Sequence, residues 1–359
     1  MITLDRYITR EFLRFFLLVM VSFLSLFLIV EFFDQLRILA RKSASFDQVA
    51  AYFFFRIPMM LSLTIPAAVL LSALLTFGSL SRNSEIVAMK ANGISIYRSS
   101  VPIMILSFLI TLFSFLFSEL ITPYANAKAE YIMRVDIQKK ELHGAFKKEQ
   151  IWYRGARGIY SFKLFDPKNN ILQGITLNYL DRGMNLVMRV DADRAVWNRD
   201  HWIFYNLLIV RFDEAGFPLM ERFDEKILDL PEKPSDFQVV QKDSEQMGYF
   251  ELRKYVRKIR SEGYDATRYL ADLHGKIAFP FVCVILAILG ISFSVKTERS
   301  GGLAGSIFVG VTIGFSYWIL YAFAMSLGRS GNLPPLLAAW LANLLFGAAA
   351  LYRFKHVRT

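Results

Sequence analysis

The stretch "SRNSEIVAMKANGISIYRSS", residues 81–100, separates two long apolar runs, and it has the composition of a bounded helix rather than of a tight turn. Asn83 or Ser84 can accept from the first free amides, and Glu85 falls in the first turn, where the peptide dipoles favour an anion. Gly93 can take the left-handed conformation that ends a helix. The expectation is a short helix over residues 83–93, with apolar area from Ile86, Val87, Met89 and Ile94 and charged contacts from Glu85 and Lys90. Such a helix either rests on lipid headgroups or forms a rigid knob that docks into a separate soluble protein and passes movement to the segments on both sides.

The runs on either side are long enough to span a membrane. Crossing the hydrocarbon core takes about 20 apolar residues in a helix. The chain offers six such stretches, near residues 12–33, 53–80, 101–121, 277–295, 303–327 and 336–352. A hydrophobic content of 54%, 33 Phe and a mean hydropathy of +0.36 place all 359 residues outside the soluble class. The first stretch exceeds a signal core and no small-residue cleavage site follows it, so it is expected to stay as an anchor. The net charge of +11 gathers at the ends of apolar runs, where anionic headgroups attract it, and no nucleic-acid partner is expected. Arg6, Arg10, Arg14, Arg82, Lys90, Arg98, Lys296, Arg299, Arg353, Lys355 and Arg358 outweigh Arg37, Arg41, Lys42, Arg56 and Arg329 at the opposite ends. The positive-inside rule then puts both termini in the cytoplasm and the polar middle outside.

Within that middle the hydrophobic period shortens. "IYSFKLF", "ITLNYL", "LVMRVDA", "HWIFYNLLIV" and "ERFDEKILDL" are short runs rich in β-branched and aromatic residues, divided by the turn signals "DPKNN", "DRGMN", "NRD" and "EAG". An antiparallel sandwich or open roll is expected, followed by an amphipathic helix, "YFELRKYVRKIRSEG", that returns the chain to the membrane. The fold class is therefore an α-helical membrane protein with six transmembrane helices and an inserted all-β domain. The expected divisions are 1–123, 124–246 and 247–359.

Catalytic signatures are missing from the sequence. His143, His201, His274 and His356 are scattered, none at metal-ligand spacing from another, and the single Cys283 can build neither a disulfide nor a thiolate zinc site. "GISFSVKT" at 290–297 looks like a phosphate loop, but Val295 stands where a glycine is required before Lys296. Neither catalysis nor a cofactor of its own is expected. Charge does appear at the end of the first span, where "IVEFFDQLRILARK", residues 29–42, sets Glu31, Asp34 and Arg37 three apart. Arg41 and Lys42 can snorkel to the boundary, whereas short carboxylates need a partner, and Arg37 is the natural one for Asp34. Beyond the third span, "AKAEYIMRVDIQKK" adds Lys128, Arg134, Lys139 and Lys140, which would suit a phosphate-bearing ligand.

Four motifs together resemble the permease subunits of the lipopolysaccharide export ABC transporter, the LptF/LptG family: "LDRYI" at 4–8, "FFDQL" at 32–36, "LLTFGSLSRNSEIVAMKANG" at 74–93 and "GNLPPLLAAW" at 331–340. The first two lean toward its LptG member. The resemblance runs through the whole chain and implies six helices with a periplasmic β-jellyroll between the third and fourth. It also implies a heterodimer with an LptF-like sister permease in the inner membrane of a Gram-negative bacterium. The further partners implied are a dimeric LptB-like cytoplasmic ATPase, which holds ATP and Mg, an LptC-like single-span protein, and lipopolysaccharide as cargo. Ser84, Glu85, Val87, Met89, Lys90 and Gly93 would form the ATPase-docking helix. Arg37 stands where the family has a basic residue at the mouth of the substrate cavity, near Glu31 and Asp34, and the lipid phosphates would fall to Arg37, Arg41 or Arg134, or to the sister subunit. Phe32 and Phe33 of the first span and Trp318 and Tyr321 of the fifth would supply an apolar wall, needed because exposing each methylene to water costs about 0.8 kcal/mol. Glu31 departs from the pattern, since LptG-type sequences carry a lysine there. Rival readings are a permease of the same architecture for another lipid or a lipoprotein, a membrane scaffold, or an intramembrane enzyme.

Overall fold

The computed structural model describes residues 2–42, 44–139, 144–147, 150–155, 157–166, 169–181, 183, 185–212, 217–234, 237, 244–261, 265–297 and 302–356. It divides into two compact units, Met1–Gln138 with Ser244–Thr359, and Lys139–Asp243. The first unit is helical: α1 (Ile2–Arg41), α2 (Phe46–Arg82), α3 (Glu85–Ala91), α4 (Ile96–Leu120) and α5 (Thr122–Tyr131), the last running into a π-helical turn (Ile132–Ile137). After the second unit come α6 (Tyr249–Ser261), α7 (Thr267–Thr297), α8 (Gly302–Arg329) and α9 (Pro335–Lys355). Six of these, α1, α2, α4, α7, α8 and α9, are long and apolar enough to span a membrane. They outrun the expected apolar stretches because good helix formers continue past them. Without a glycine or proline, α1 runs 40 residues, roughly 60 Å at 1.5 Å per residue. The start of α2 is set by a capping box, Ser45 Oγ accepting from the Gln48 amide (3.4 Å) and Gln48 Oε1 from the Ser45 amide (3.1 Å).

At the centre, α2 and α7 pack closely, and small residues explain how. Gly290 lets α7 approach so near that a β-carbon there would sit 2.8 Å from the Leu70 carbonyl oxygen. One turn on, Ser294 Oγ donates to the Leu74 carbonyl (3.0 Å). Gly290, the residue that opens the phosphate-loop look-alike, is thus a helix-packing glycine. A buried polar bridge adds α8 and α9: Tyr317 donates to Asn343 Oδ1 (2.8 Å), and Asn343 Nδ2 donates to the Ala278 carbonyl (2.6 Å). Every one of these polar groups is satisfied within protein, as an apolar surround requires. Cys283 is buried in the same interior. The returning helix α6 buries Leu252, Tyr255, Val256 and Ile259 on one face, and the Glu119 carboxylate accepts from its leading amides of Tyr249 and Phe250.

The second unit is a single antiparallel sheet of β1 (Gly144–Lys147), β2 (Gln150–Gly155), β3 (Gly158–Phe162), β4 (Leu164–Asp166), β5 (Ile171–Leu180), β6 (Leu186–Asn198), β7 (His201–Phe212) and β8 (Pro218–Leu228). Their order is that of the chain, with β4 pairing β5 beside β3. The five runs singled out above fall in β3 to β8, and β1 and β2 were not anticipated. "NRD" is the β6–β7 turn, with Arg199 at φ 54°, and in "DRGMN" Asp181 Oδ1 accepts from the amides of Gly183 (2.7 Å) and Asn185 (2.9 Å). Those bonds hold the Asp181 carboxyl below its usual range. "EAG", 214–216, lies outside the described residues. A crease crosses the sheet along Gly174, Asp193 and Asn206, where the ladder pairs are missing and Gly174 and Asn206 have φ of 60° and 48°. There the inward alternation slips by one residue: Leu172 then Ile175, Ala195 then Ala192, Phe204 then Leu207. Both sides of the crease consequently feed one core, which holds Trp202, Phe204, Phe162, Phe165 and, from the segment after β8, Phe237.

Candidate functional site

The α2–α4 link contains the expected helix, seven residues long, with a different start. Ser84 adopts φ 59°, ψ 13° and makes no side-chain cap, while Asn83 Nδ2 donates to Glu85 (3.3 Å). The chain leaves α2 through this left-handed residue, whereas a capping serine takes an extended backbone. The far end is as expected: Gly93 has φ +76°, its amide donates to the Lys90 carbonyl (2.9 Å), and the Ile94 amide donates to Met89 (2.9 Å), the paired bonds of a glycine stop. Ile86 is buried and Met89 packs beside it, whereas Val87 is 66% exposed. Glu85 is not turned outward; the Tyr7 hydroxyl donates to it (3.2 Å). Of the expected docking residues, Val87 therefore presents the free apolar surface.

At the other end of α1 the expected Asp34–Arg37 pair does not form. Glu31 is instead held by the next helix, accepting from Tyr52 Oη (2.8 Å) and Arg56 Nε (3.2 Å), while Gln35 donates to Asp34 (3.1 Å). A lone arginine within "YFFFRIPMM", residues 52–60, was the available signal, because a charge inside a span needs a partner. Arg56 neutralises Glu31, and among the described residues Arg37 and Arg41 have no ion pair. Arg134 pairs with Glu130 one turn before it. Phe32 lies against Phe33 (5.8 Å) and Phe53 (6.0 Å), with Phe33 67% exposed.

Trp318 and Tyr321 stand elsewhere. α1 packs on α2 and α4, whereas α8 packs on α2, α7 and α9, so one chain does not gather the two aromatic groups. Both helices leave most of their apolar surface uncovered. Trp318 is exposed; Tyr321 stacks with Tyr317 (6.0 Å) and lines a cavity of about 210 Å3 shared with Asn126, Asp272 and Lys276. In that cavity Asp272 accepts from Ser244 Oγ (2.6 Å) and Arg329 Nε (2.7 Å). Among the described residues no three His, Cys, Asp or Glu side chains converge as a metal site would need.

Comparison with known proteins adds to this geometry. A family described as "Lipopolysaccharide export system permease LptF/LptG" matches residues 6–356. The lipopolysaccharide export system permease protein LptG of Escherichia coli strain K12 is 23% identical over 358 residues, covering 97% of each chain. The protein of the same name from Haemophilus influenzae is 23% identical over 354 residues, covering 96% of each.

Proposed function

Because the chain belongs to the LptF/LptG family of lipopolysaccharide export permeases, which are non-catalytic subunits, we propose that it is the LptG-like half of an ATP-driven lipopolysaccharide extractor. It lies in the inner membrane of a Gram-negative bacterium with both termini cytoplasmic and the sheet, within residues 124–246, periplasmic. Its sister is an LptF-like permease, and an LptC-like single-span protein joins them. ATP and magnesium are held by a dimeric LptB-like ATPase. The uncovered apolar flanks of α1 and α8 supply walls that the sister completes, so acyl chains leave the bilayer without meeting water. Arg37 and Arg41, unpaired among the described residues, offer guanidinium groups to the lipid phosphates, while Arg56 removes the repulsion Glu31 would exert.

The observation that carries this reading is Val87, an exposed apolar side chain on a helix anchored at both ends between two spans. Purification of the chain from its native membrane is expected to bring with it a nucleotide-hydrolysing protein and a second six-span protein. Val87→Asp should lower recovery of the ATPase about ten-fold, one charge in an apolar contact being worth about 1.4 kcal/mol or more. Isolation of the wild-type chain alone, active or inactive, would sink the proposal. Arg37→Glu should weaken lipopolysaccharide-stimulated ATP turnover about ten-fold in apparent affinity, since it removes one charge-assisted phosphate contact; an unchanged concentration dependence removes that role.

A further inference from the structure

We propose that Asp5 and Tyr7 form a latch that fastens the first membrane helix to the docking helix and to α4, which follows it, so that a displacement of α3 is delivered to α1 as a rigid-body movement. The inference rests on the reading of α3 as the ATPase-docking element and adds the residues that carry its motion onward. Asp5 takes a two-pronged grip from α4, with Arg98 Nη1 donating to Oδ1 (2.8 Å) and Nη2 to Oδ2 (2.7 Å). A bidentate pair of this kind fixes orientation as well as distance. Half a turn further, the Tyr7 hydroxyl donates to Glu85 on α3 (3.2 Å). Below these bonds Ile8 and Phe12 are fully buried in one cluster with Phe77 and Leu80 of α2, Ile86 of α3 and Ile96 of α4. Tyr97 extends the clamp to the last helix, donating to the carbonyls of Phe354 (3.2 Å) and Lys355 (3.3 Å).

Above this end α1 changes character. Leu17, Leu18, Val21, Leu26, Ile29 and Val30 are exposed, and the helix has neither glycine nor proline at which to bend. A stiff rod gripped at this end, seated along one face on α2 and held there again through Glu31, carries a movement to its far end, where Glu31 and Arg37 stand. Packed elements move as units rather than deforming continuously. The motif "LDRYI" then has a physical meaning: Leu4 and Ile8 pack inward, Asp5 and Tyr7 bond sideways, and Arg6 is left exposed.

The test uses the complex purified with its own partners and reconstituted in vesicles containing lipopolysaccharide. Asp5→Asn and Arg98→Gln should each keep the ATPase bound and its turnover within about two-fold, while extraction per ATP falls about ten-fold. Tyr7→Phe, which removes only a hydroxyl, should act in the same direction. The exchange Asp5→Arg with Arg98→Asp should recover about half of the extraction, the coupling expected of a direct pair. Unchanged extraction in the single variants, or an exchange no better than either single variant, overturns the latch. So does a single variant that fails to assemble while the exchange assembles without restoring extraction, because the pair is then only structural. A second readout does not depend on transport: spin labels at Arg10→Cys and Asn92→Cys should give one narrow distance in the wild-type background with and without ATP, and a broadened one with Asp5→Asn. Identical distributions refute the latch, whereas a wild-type complex that binds no ATPase and moves no lipid refutes the functional reading instead.

Discussion

Gly290→Leu is expected to stop α2 and α7 from closing and so to disperse the helical unit. A β-carbon alone would lie 2.8 Å from the Leu70 carbonyl oxygen, 2.9 Å from Ala73 Cβ and 3.2 Å from the Leu74 amide nitrogen. Two of those neighbours are backbone, which cannot rotate aside, so the helices must separate. Overpacking of this kind costs about 1–3 kcal/mol and more when the obstacle is main chain. Separation would also break the Ser294 bond to Leu74. Gly314 is the control: its β-carbon would meet only Leu70 Cδ2 at 3.6 Å, an ordinary contact. Gly314→Ala should be neutral or gain up to about 1 kcal/mol of helix propensity. The measurement is the thermal midpoint of the detergent-purified chain by size-exclusion recovery after heating. Equal midpoints for Gly290→Leu and wild type would show that the close approach is not limiting.

Trp202→Ala should unravel the sheet while leaving the spans intact. Trp202 is fully buried, its Nε1 donates to the Glu232 carbonyl (2.8 Å), and its ring meets Trp197 (5.2 Å) and Phe237 (5.9 Å). Truncation of a buried aromatic costs about 3–5 kcal/mol, and here it also strands a carbonyl. Phe237 would lose a wall of its aromatic cage, whose other members are Tyr153 (5.1 Å), Phe162 (5.2 Å) and Phe165 (6.3 Å). Limited proteolysis of the full chain should cut rapidly within residues 139–243, with the spans still protected. Trp202→Phe should show a smaller effect. Cleavage at the wild-type rate in Trp202→Ala would mean that the core does not depend on this side chain.

Much of the fold was legible because it rests on local patterns. Six apolar runs, the shift to short alternating strands and the glycine stop at Gly93 each depend on residues within a few positions of one another, and the structure has all three. Ser84 shows where local reasoning failed: a good capping residue does not cap where its backbone is left-handed. Helical spacing offers Arg37 to Asp34, yet Asp34 accepts from its neighbour Gln35, and spacing on one helix says nothing of what the next helix brings, where Arg56 sits against Glu31.

Helix α3, the proposed docking element, divides in the same way. Its place between the second and third spans and its glycine stop were legible in sequence, and so was the family, whereas the helix itself is shorter than expected, Glu85–Ala91. Which of its side chains face outward was not legible, because Glu85 is turned aside by a tyrosine 78 positions earlier and Val87 is left free only once Ile86 has been buried by α1 and α4. Likewise the crease through Gly174, Asp193 and Asn206 exists only where neighbouring strands lie side by side. Sequence alone determined the number and kind of segments, since burial in lipid or in a sheet leaves a periodic trace in the chain itself. Tertiary structure decided the partners of each charge and the orientation of each functional side chain, because those are set by contacts between residues whose separation along the chain carries no information about their distance in space.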